Sequence, residues 1–187
     1  MPILSHQPDL FPGDLLDRAG AAGQTAEQWW ALYTLSRQEK RLMRQLKALN
    51  VPFYCPTILK RNRSPAGRVR SSQLPLFTNY VFVFGDDAQR QLALTTNTVS
   101  RSIVVPDRRA FTADLRQIQR LVATGAPLTP EARLEPGMYV RVKSGAFRDF
   151  EGRVIRREGE TRLLVYVNFL QQGASVLLDD CQLERLN

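Results

Sequence analysis

Two hydrophobic periods in one chain predict an α+β domain followed by a small all-β barrel. Between Trp29 and Val122, bulky strand-forming runs alternate with segments whose apolar side chains recur every three to four positions; beyond Pro130 the period shortens to two and stays there. The stretch Gly125-Ala126-Pro127-Leu128-Thr129-Pro130-Glu131 separates the two regimes with two prolines and no periodicity, as expected between independently folded units. The expected organisation is an extension over residues 1–26, a first domain over 27–124, a linker over 125–133 and a barrel over 134–187.

The extension carries Pro2, Pro8 and Pro12 and a small-residue stretch from Ala19 to Gly23, with no sustained period, and is expected to be flexible. From Trp29, the run Trp-Trp-Ala-Leu-Tyr-Thr-Leu predicts a strand. Over Gln38 to Leu49, Leu42, Met43, Leu46 and Leu49 fall at helical spacing with Arg41, Arg44 and Lys47 opposite, which predicts an amphipathic helix. Val51-Pro52 ends it, Phe53 to Leu59 predicts a second strand, and a basic turn through Ser64-Pro65-Ala66-Gly67 leads to a third over Tyr80 to Phe84. A short helix is expected over Asp87 to Thr95, and Ser102 to Val105 is β-branched and apolar. Thr112 is the expected cap of a last helix bearing Leu115, Ile118, Leu121 and Val122 on one face. The order β-α-β-β-α-β plus a terminal helix is that of a ferredoxin-like α+β domain. Downstream, Met138 to Val142, Gly152 to Arg156, Leu163 to Val167 and Ser175 to Leu178 are short strands separated by glycine-bearing turns. So short a segment buries a core only by closing on itself.

Composition excludes several classes of function. The 187 residues are 43% hydrophobic and 24% charged, as in a globular protein, with no run of 18 apolar residues, so a cytoplasmic, non-membrane protein is expected. Cys55 and Cys181 have only His6 for company as an imidazole, too few groups for a zinc site or a disulfide framework. His6 is also the sole histidine and no Gly-rich phosphate loop occurs, so neither catalysis nor a cofactor or metal is expected. The net charge of +8 is unevenly placed: residues 27–124 hold sixteen Lys/Arg against six Asp/Glu, and residues 131–187 hold nine of each. A polyanion contact therefore belongs to the first domain.

The segments Glu135-Pro136-Gly137, Val140-Arg141-Val142, Gly145-Ala146-Phe147 and Phe150-Glu151-Gly152-Arg153-Val154 together resemble the KOW motif, which ribosomal proteins also carry. At Gly145 and Gly152, turns between closely paired strands favour residues that tolerate positive φ or close backbone approach. Upstream, Trp29 to Leu35, the helix after it, Tyr54-Cys55-Pro56 and Pro75-Leu-Phe-Thr-Asn-Tyr-Val-Phe-Val83 resemble the amino-terminal (NGN) domain of the NusG family of transcription elongation factors. The resemblance covers about residues 28–187. Within the family, Pro75 to Phe82 looks closer to the specialised paralogue RfaH than to general NusG, where a glycine commonly precedes the matching tyrosine.

The resemblance implies an elongation and antitermination factor, expected to be monomeric, that binds the clamp helices of the largest bacterial RNA polymerase subunit. Tyr33, Phe77, Tyr80 and Phe82 fall where RfaH-like proteins place that surface; the alternative is that all four are core aromatics. Two basic groups are candidates for contact with upstream or non-template DNA: Arg37, Lys40, Arg41 and Arg44 on the first helix, and Lys60, Arg61, Arg63, Arg68 and Arg70 around the hairpin tip. A merely solvated cationic surface is the alternative for both. In the KOW domain the family contacts either the termination factor Rho or a small-subunit ribosomal protein through a late loop. General NusG has Phe-Gly-Arg there; this chain aligns Leu170-Gln171-Gln172, leaving Phe169 and Leu170 as the candidate patch.

The likeness to RfaH raises the expectation of a stored form, since RfaH itself keeps this domain as a helical hairpin against the amino-terminal domain, held partly by an interdomain ion pair. Arg162 matches the cation, but Leu74 stands at the carboxylate position and Leu163 to Phe169 is rich in β-formers, so a permanent barrel is expected. A ribosome-associated or general RNA-binding KOW protein is the competing function, and the barrel's balanced charge argues against it.

Overall fold

The computed structural model describes residues 8–21, 26–63, 67, 69–133, 137–179 and 181–186. Two compact units divide between Thr112 and Ala113. The fold is α+β: a helix-backed antiparallel sheet, then an all-antiparallel β unit, as the two periods predict.

In the first unit the elements are β1 (Leu10–Phe11), α1 (Leu15–Ala21), β2 (Gln28–Thr34), α2 (Glu39–Ala48), β3 (Phe53–Tyr54), β4 (Thr57–Arg63), β5 (Val69–Pro75), β6 (Tyr80–Gly85), α3 (Asp87–Leu94) and β7 (Val99–Val104). Five strands form one sheet in the order β1-β3-β6-β2-β7, while β4 and β5 make a separate hairpin in register from Thr57↔Pro75 to Arg63↔Val69. Because side chains alternate across a strand, the β2–β6 register sorts residues onto two faces. Leu32 and Val81, paired across the ladder, join Leu42, Met43 and Leu46 of α2 and Ala93 of α3 in a fully buried cluster. The other face is aromatic, with Trp29 opposite Phe84 and Tyr33 opposite Tyr80. Phe111, on the following helix α4 (Arg108–Ala123), meets Trp29 and Phe82 edge-on at centroid distances of 5.7 and 5.2 Å. With both faces covered, every residue from Val81 to Gly85 is buried.

The second unit begins within α4, whose Leu115, Ile118 and Leu121 are buried, and continues with β8 (Thr129–Glu131), β9 (Met138–Val142), β10 (Glu151–Arg157), β11 (Glu160–Val167), β12 (Gln172–Leu177) and β13 (Leu183–Arg185). The sheet order is β13-β9-β10-β11-β12-β8, and Val140, Val142, Ile155, Leu163, Val165, Val167 and Ala174 fill its core. The expected β-formers around Leu163 are strand. Arg162 is used inside this unit: it donates to Ser175 Oγ and Thr129 Oγ1, each at 3.0 Å, and pairs with Glu160.

Several expectations are corrected. The extension expected to be flexible is ordered over its described part: β1 pairs with β3 through Leu10↔Tyr54 and Phe11↔Phe53, Cys55 N donates to Asp9 O at 2.7 Å, and α1 buries Leu15, Leu16 and Ala19. Tertiary burial creates these short elements, which local propensity does not announce. The strand expected over Phe53 to Leu59 breaks at Cys55-Pro56 into β3 and β4. Helix α4 starts at Arg108, capped by Asp107 Oδ1 accepting from Ala110 N at 2.9 Å. Thr112 lies inside the helix, donating to Arg108 O and accepting from Trp29 Nε1. The stretch expected to be linker contributes β8, which pairs with β12. Gly152 lies within β10, not in a turn, where a Cβ would collide with the carbonyl of Leu164. Gly145, in its turn, has φ +86°.

Candidate functional site

The turn that feeds β6 organises the candidate aromatic surface. Tyr80 N donates to Phe77 O at 3.1 Å, and Asn79 between them has φ +65°, a left-handed conformation that asparagine tolerates better than other non-glycine residues. Three further bonds fix Asn79. Its carbonyl accepts from Thr34 N at 2.8 Å, its N–H donates to Glu39 Oε1 at 2.8 Å, and its side-chain Nδ2 donates to Tyr33 Oη at 3.4 Å. Glu39 opens α2 and is buried. A carboxylate in a helix's first turn is favoured by the backbone dipole, which allows it to serve a neighbouring amide from an interior position.

Of the four aromatic candidates, the structure brings two to the surface together. Tyr33 and Tyr80 are half-buried and meet edge-on, with centroids 5.2 Å apart and rings at 77°. Phe77 and Phe82 lie inside, at 1% and 0% exposure, packed against each other at 5.9 Å. Phe82 also stacks beneath Tyr80 at 6.4 Å. Such pairs add about 0.5–1.5 kcal/mol each beyond the area they bury. Phe77 and Phe82 therefore form a buried floor, above which Tyr33 and Tyr80 keep part of their surface open to solvent. Arg101 of β7 places its guanidinium 5.7 Å from the Tyr33 ring, which adds a cation to the same patch.

Among the basic candidates, Arg37, Lys40, Arg41 and Arg44 are all exposed along α2 and the turn before it, opposite the buried Leu42, Met43 and Leu46. Lys60 is exposed on β4. Arg61, Arg63 and Arg70 sit on the paired backbone of β4 and β5, with side chains outside the described residues, and Arg68 lies outside them altogether.

In the second unit, Phe169 and Leu170 fall on a short 3-10 turn, Asn168–Leu170, between β11 and β12, and both are half-buried. Gln171 follows with φ +54° and holds that conformation by donating from Nε2 to Asn168 O at 2.7 Å and to Asn168 Oδ1 at 3.0 Å. The unit neutralises its own charge: Arg141 pairs with Glu151 and Glu184, Lys143 with Glu184, and Arg157 with the buried Glu131. Burial, then Glu151, pushes the Tyr139 hydroxyl up to about 12, so it stays protonated.

No group of three or more metal-ligating side chains occurs among the described residues, and no described helix is long and apolar enough to cross a membrane. Both cysteines are free. Cys55 is enclosed, and burial, then the charges of Glu39 and Asp9, raises its thiol far above the ordinary range, the opposite of what a nucleophile needs. Sequence reasoning missed Glu39, Asn79 and Arg101. The one local signal for any of them was an asparagine directly before a strand, a residue type that accepts positive φ.

Residues 27–122 match the family model described as transcription termination factor NusG. The chain is 27% identical over 184 residues to the transcription termination/antitermination protein NusG of Pseudomonas aeruginosa, covering 86% of this chain and 99% of that protein. It is 33% identical over 126 residues to the proteins of the same name from Escherichia coli and Yersinia pestis, covering 64% of this chain and 70% of each of them.

Proposed function

Since the chain belongs to the NusG family, we propose that it is a transcription termination/antitermination factor that grips RNA polymerase through the Tyr33–Tyr80 patch. Its target there is the clamp helices of the largest subunit, and the consequence is suppressed pausing or termination. The observation that carries this reading is the half-exposed tyrosine pair on a buried phenylalanine floor. Aromatic anchors held rigid before binding lose little conformational freedom when a helical partner packs on them. Phe77 and Phe82 act in this reading as support.

The cations of α2 and of the hairpin extend the contact toward upstream or non-template DNA, where guanidinium and ammonium groups replace condensed counterions. The Phe169–Leu170 turn is the site for a second partner, Rho or a small-subunit ribosomal protein. The protein works in the cytoplasm as a monomer, by binding and not by catalysis. Asn79 before Tyr80, in place of the general factor's glycine, favours a specialised paralogue.

The test is co-purification of the full chain with bacterial core RNA polymerase, intact or lacking the clamp-helix region, at moderate salt. Binding that requires the clamp helices is expected. A folded chain that ignores both polymerases overturns the proposal, and capture of RNA instead would select the ribosome-associated alternative.

A further inference from the structure

We infer that the side chain of Asn79 is a positioning residue for the Tyr33–Tyr80 patch, holding the Tyr33 phenol in its binding orientation before a partner arrives. The inference rests on the proposed polymerase surface and adds to it a residue that acts through Tyr33. A turn with positive φ at this position needs only glycine. Asparagine adopts the same backbone conformation and brings a donor, which it directs at Tyr33 Oη across 3.4 Å.

The backbone of Asn79 is independently anchored. Its N–H is held by Glu39 Oε1 and its carbonyl by Thr34 N, both at 2.8 Å, so the side chain leaves from a fixed point. Glu39 is 6% exposed, in the first turn of α2. The Tyr33 ring is then restrained on three sides: at its hydroxyl by Asn79, at its edge by Tyr80, and over its face by Arg101. Removing the donor while leaving the backbone free to keep its φ separates the two roles of this residue. Asn79→Gly does that.

The experiment measures affinity of the full-length protein for core RNA polymerase in a cycle of wild type, Asn79→Gly, Tyr33→Phe and the double variant, with thermal melts to confirm folding. Alongside, fluorine NMR is recorded on free protein carrying 3-fluorotyrosine, the Tyr33 signal being identified by its absence in Tyr33→Phe. We expect Asn79→Gly to weaken binding about three- to tenfold, the range one hydrogen bond spans. The loss should vanish in the Tyr33→Phe background, where the hydroxyl is already gone. The Tyr33 signal should shift or broaden in Asn79→Gly. An equal loss in both backgrounds would assign Asn79 a purely structural part in the turn, and no loss together with an unmoved Tyr33 signal would overturn the inference. A Tyr80→Ala variant separates the two levels of the account: if it is folded and binds normally, the polymerase surface itself fails, while the fluorine spectra still report whether Asn79 orders Tyr33.

Discussion

The turn at Asn79 in the first unit and the turn at Gln171 in the second solve the same backbone problem in different ways. Each places a non-glycine residue at positive φ, +65° and +54°. Asn79 is anchored outward, through Glu39, Thr34 and Tyr33, and so ties a helix start, a strand end and an aromatic side chain together. Gln171 is anchored inward, returning its amide to Asn168 three residues back. The first arrangement transmits order to a surface; the second merely closes its own loop. Substitution at the first should therefore be felt in binding, and at the second chiefly in stability.

Charge separates the two regions in the same sense. In the second unit, cations and acids alternate across β9, β10 and β13 and neutralise one another, as in Arg141 between Glu151 and Glu184. The first unit, residues 1–112, carries fifteen Lys/Arg against eight Asp/Glu, an excess that pairing within it cannot remove and that suits a polyanion.

The largest effect expected in the first unit is structural. Deleting residues 1–21 strips β1 from the sheet edge and removes the buried Leu15 and Leu16. At roughly 1.5–3 kcal/mol per buried leucine, less the chain entropy recovered, a loss of about 3 kcal/mol is expected in urea unfolding. A midpoint unchanged by the deletion would show that the extension is dispensable. Next in size, Tyr33→Ala combined with Tyr80→Ala should weaken polymerase binding by at least about 30-fold in a titration, the scale of two interface anchors. The circular-dichroism melt of the second unit should not move. Replacing Arg37, Lys40, Arg41 and Arg44 by glutamine should reduce DNA-dependent affinity about tenfold at low salt and much less at high salt, flattening the dependence of log K on log salt. If the defect is independent of salt, the basic helix is not a phosphate contact. Smallest of all, Gln171→Gly should change stability by no more than about 1 kcal/mol, because relief of the left-handed strain is offset by the lost amide bonds.

The sheet scaffold of the first unit was legible because Trp29 to Leu35 and Tyr80 to Phe84 are runs of bulky strand-forming residues, while Leu42, Met43 and Leu46 fall at helical spacing. Which residues of β6 face solvent was not legible. Period two sorts Tyr80 and Phe82 onto one face, but Phe111 covers that face over Phe82 and leaves Tyr80 at its rim, a fact of tertiary packing from a helix nearly thirty residues downstream. The extension was misjudged because a two-residue strand and a seven-residue helix have no period to detect. Asn79 was invisible as a hub for the same reason, since its partners Glu39 and Tyr33 lie 40 and 46 residues away.

If the exposed edge of the tyrosine pair meets the polymerase clamp helices, position 80 lies within reach of them. The most direct test installs a photoreactive benzoylphenylalanine at position 80 of the full chain, irradiates its complex with core RNA polymerase, and maps the crosslinked peptide. A crosslink to the clamp helices is expected, and it should disappear when Tyr33 is also replaced by alanine. Efficient crosslinking to another subunit, or retained binding with no crosslink at the clamp, would contradict it.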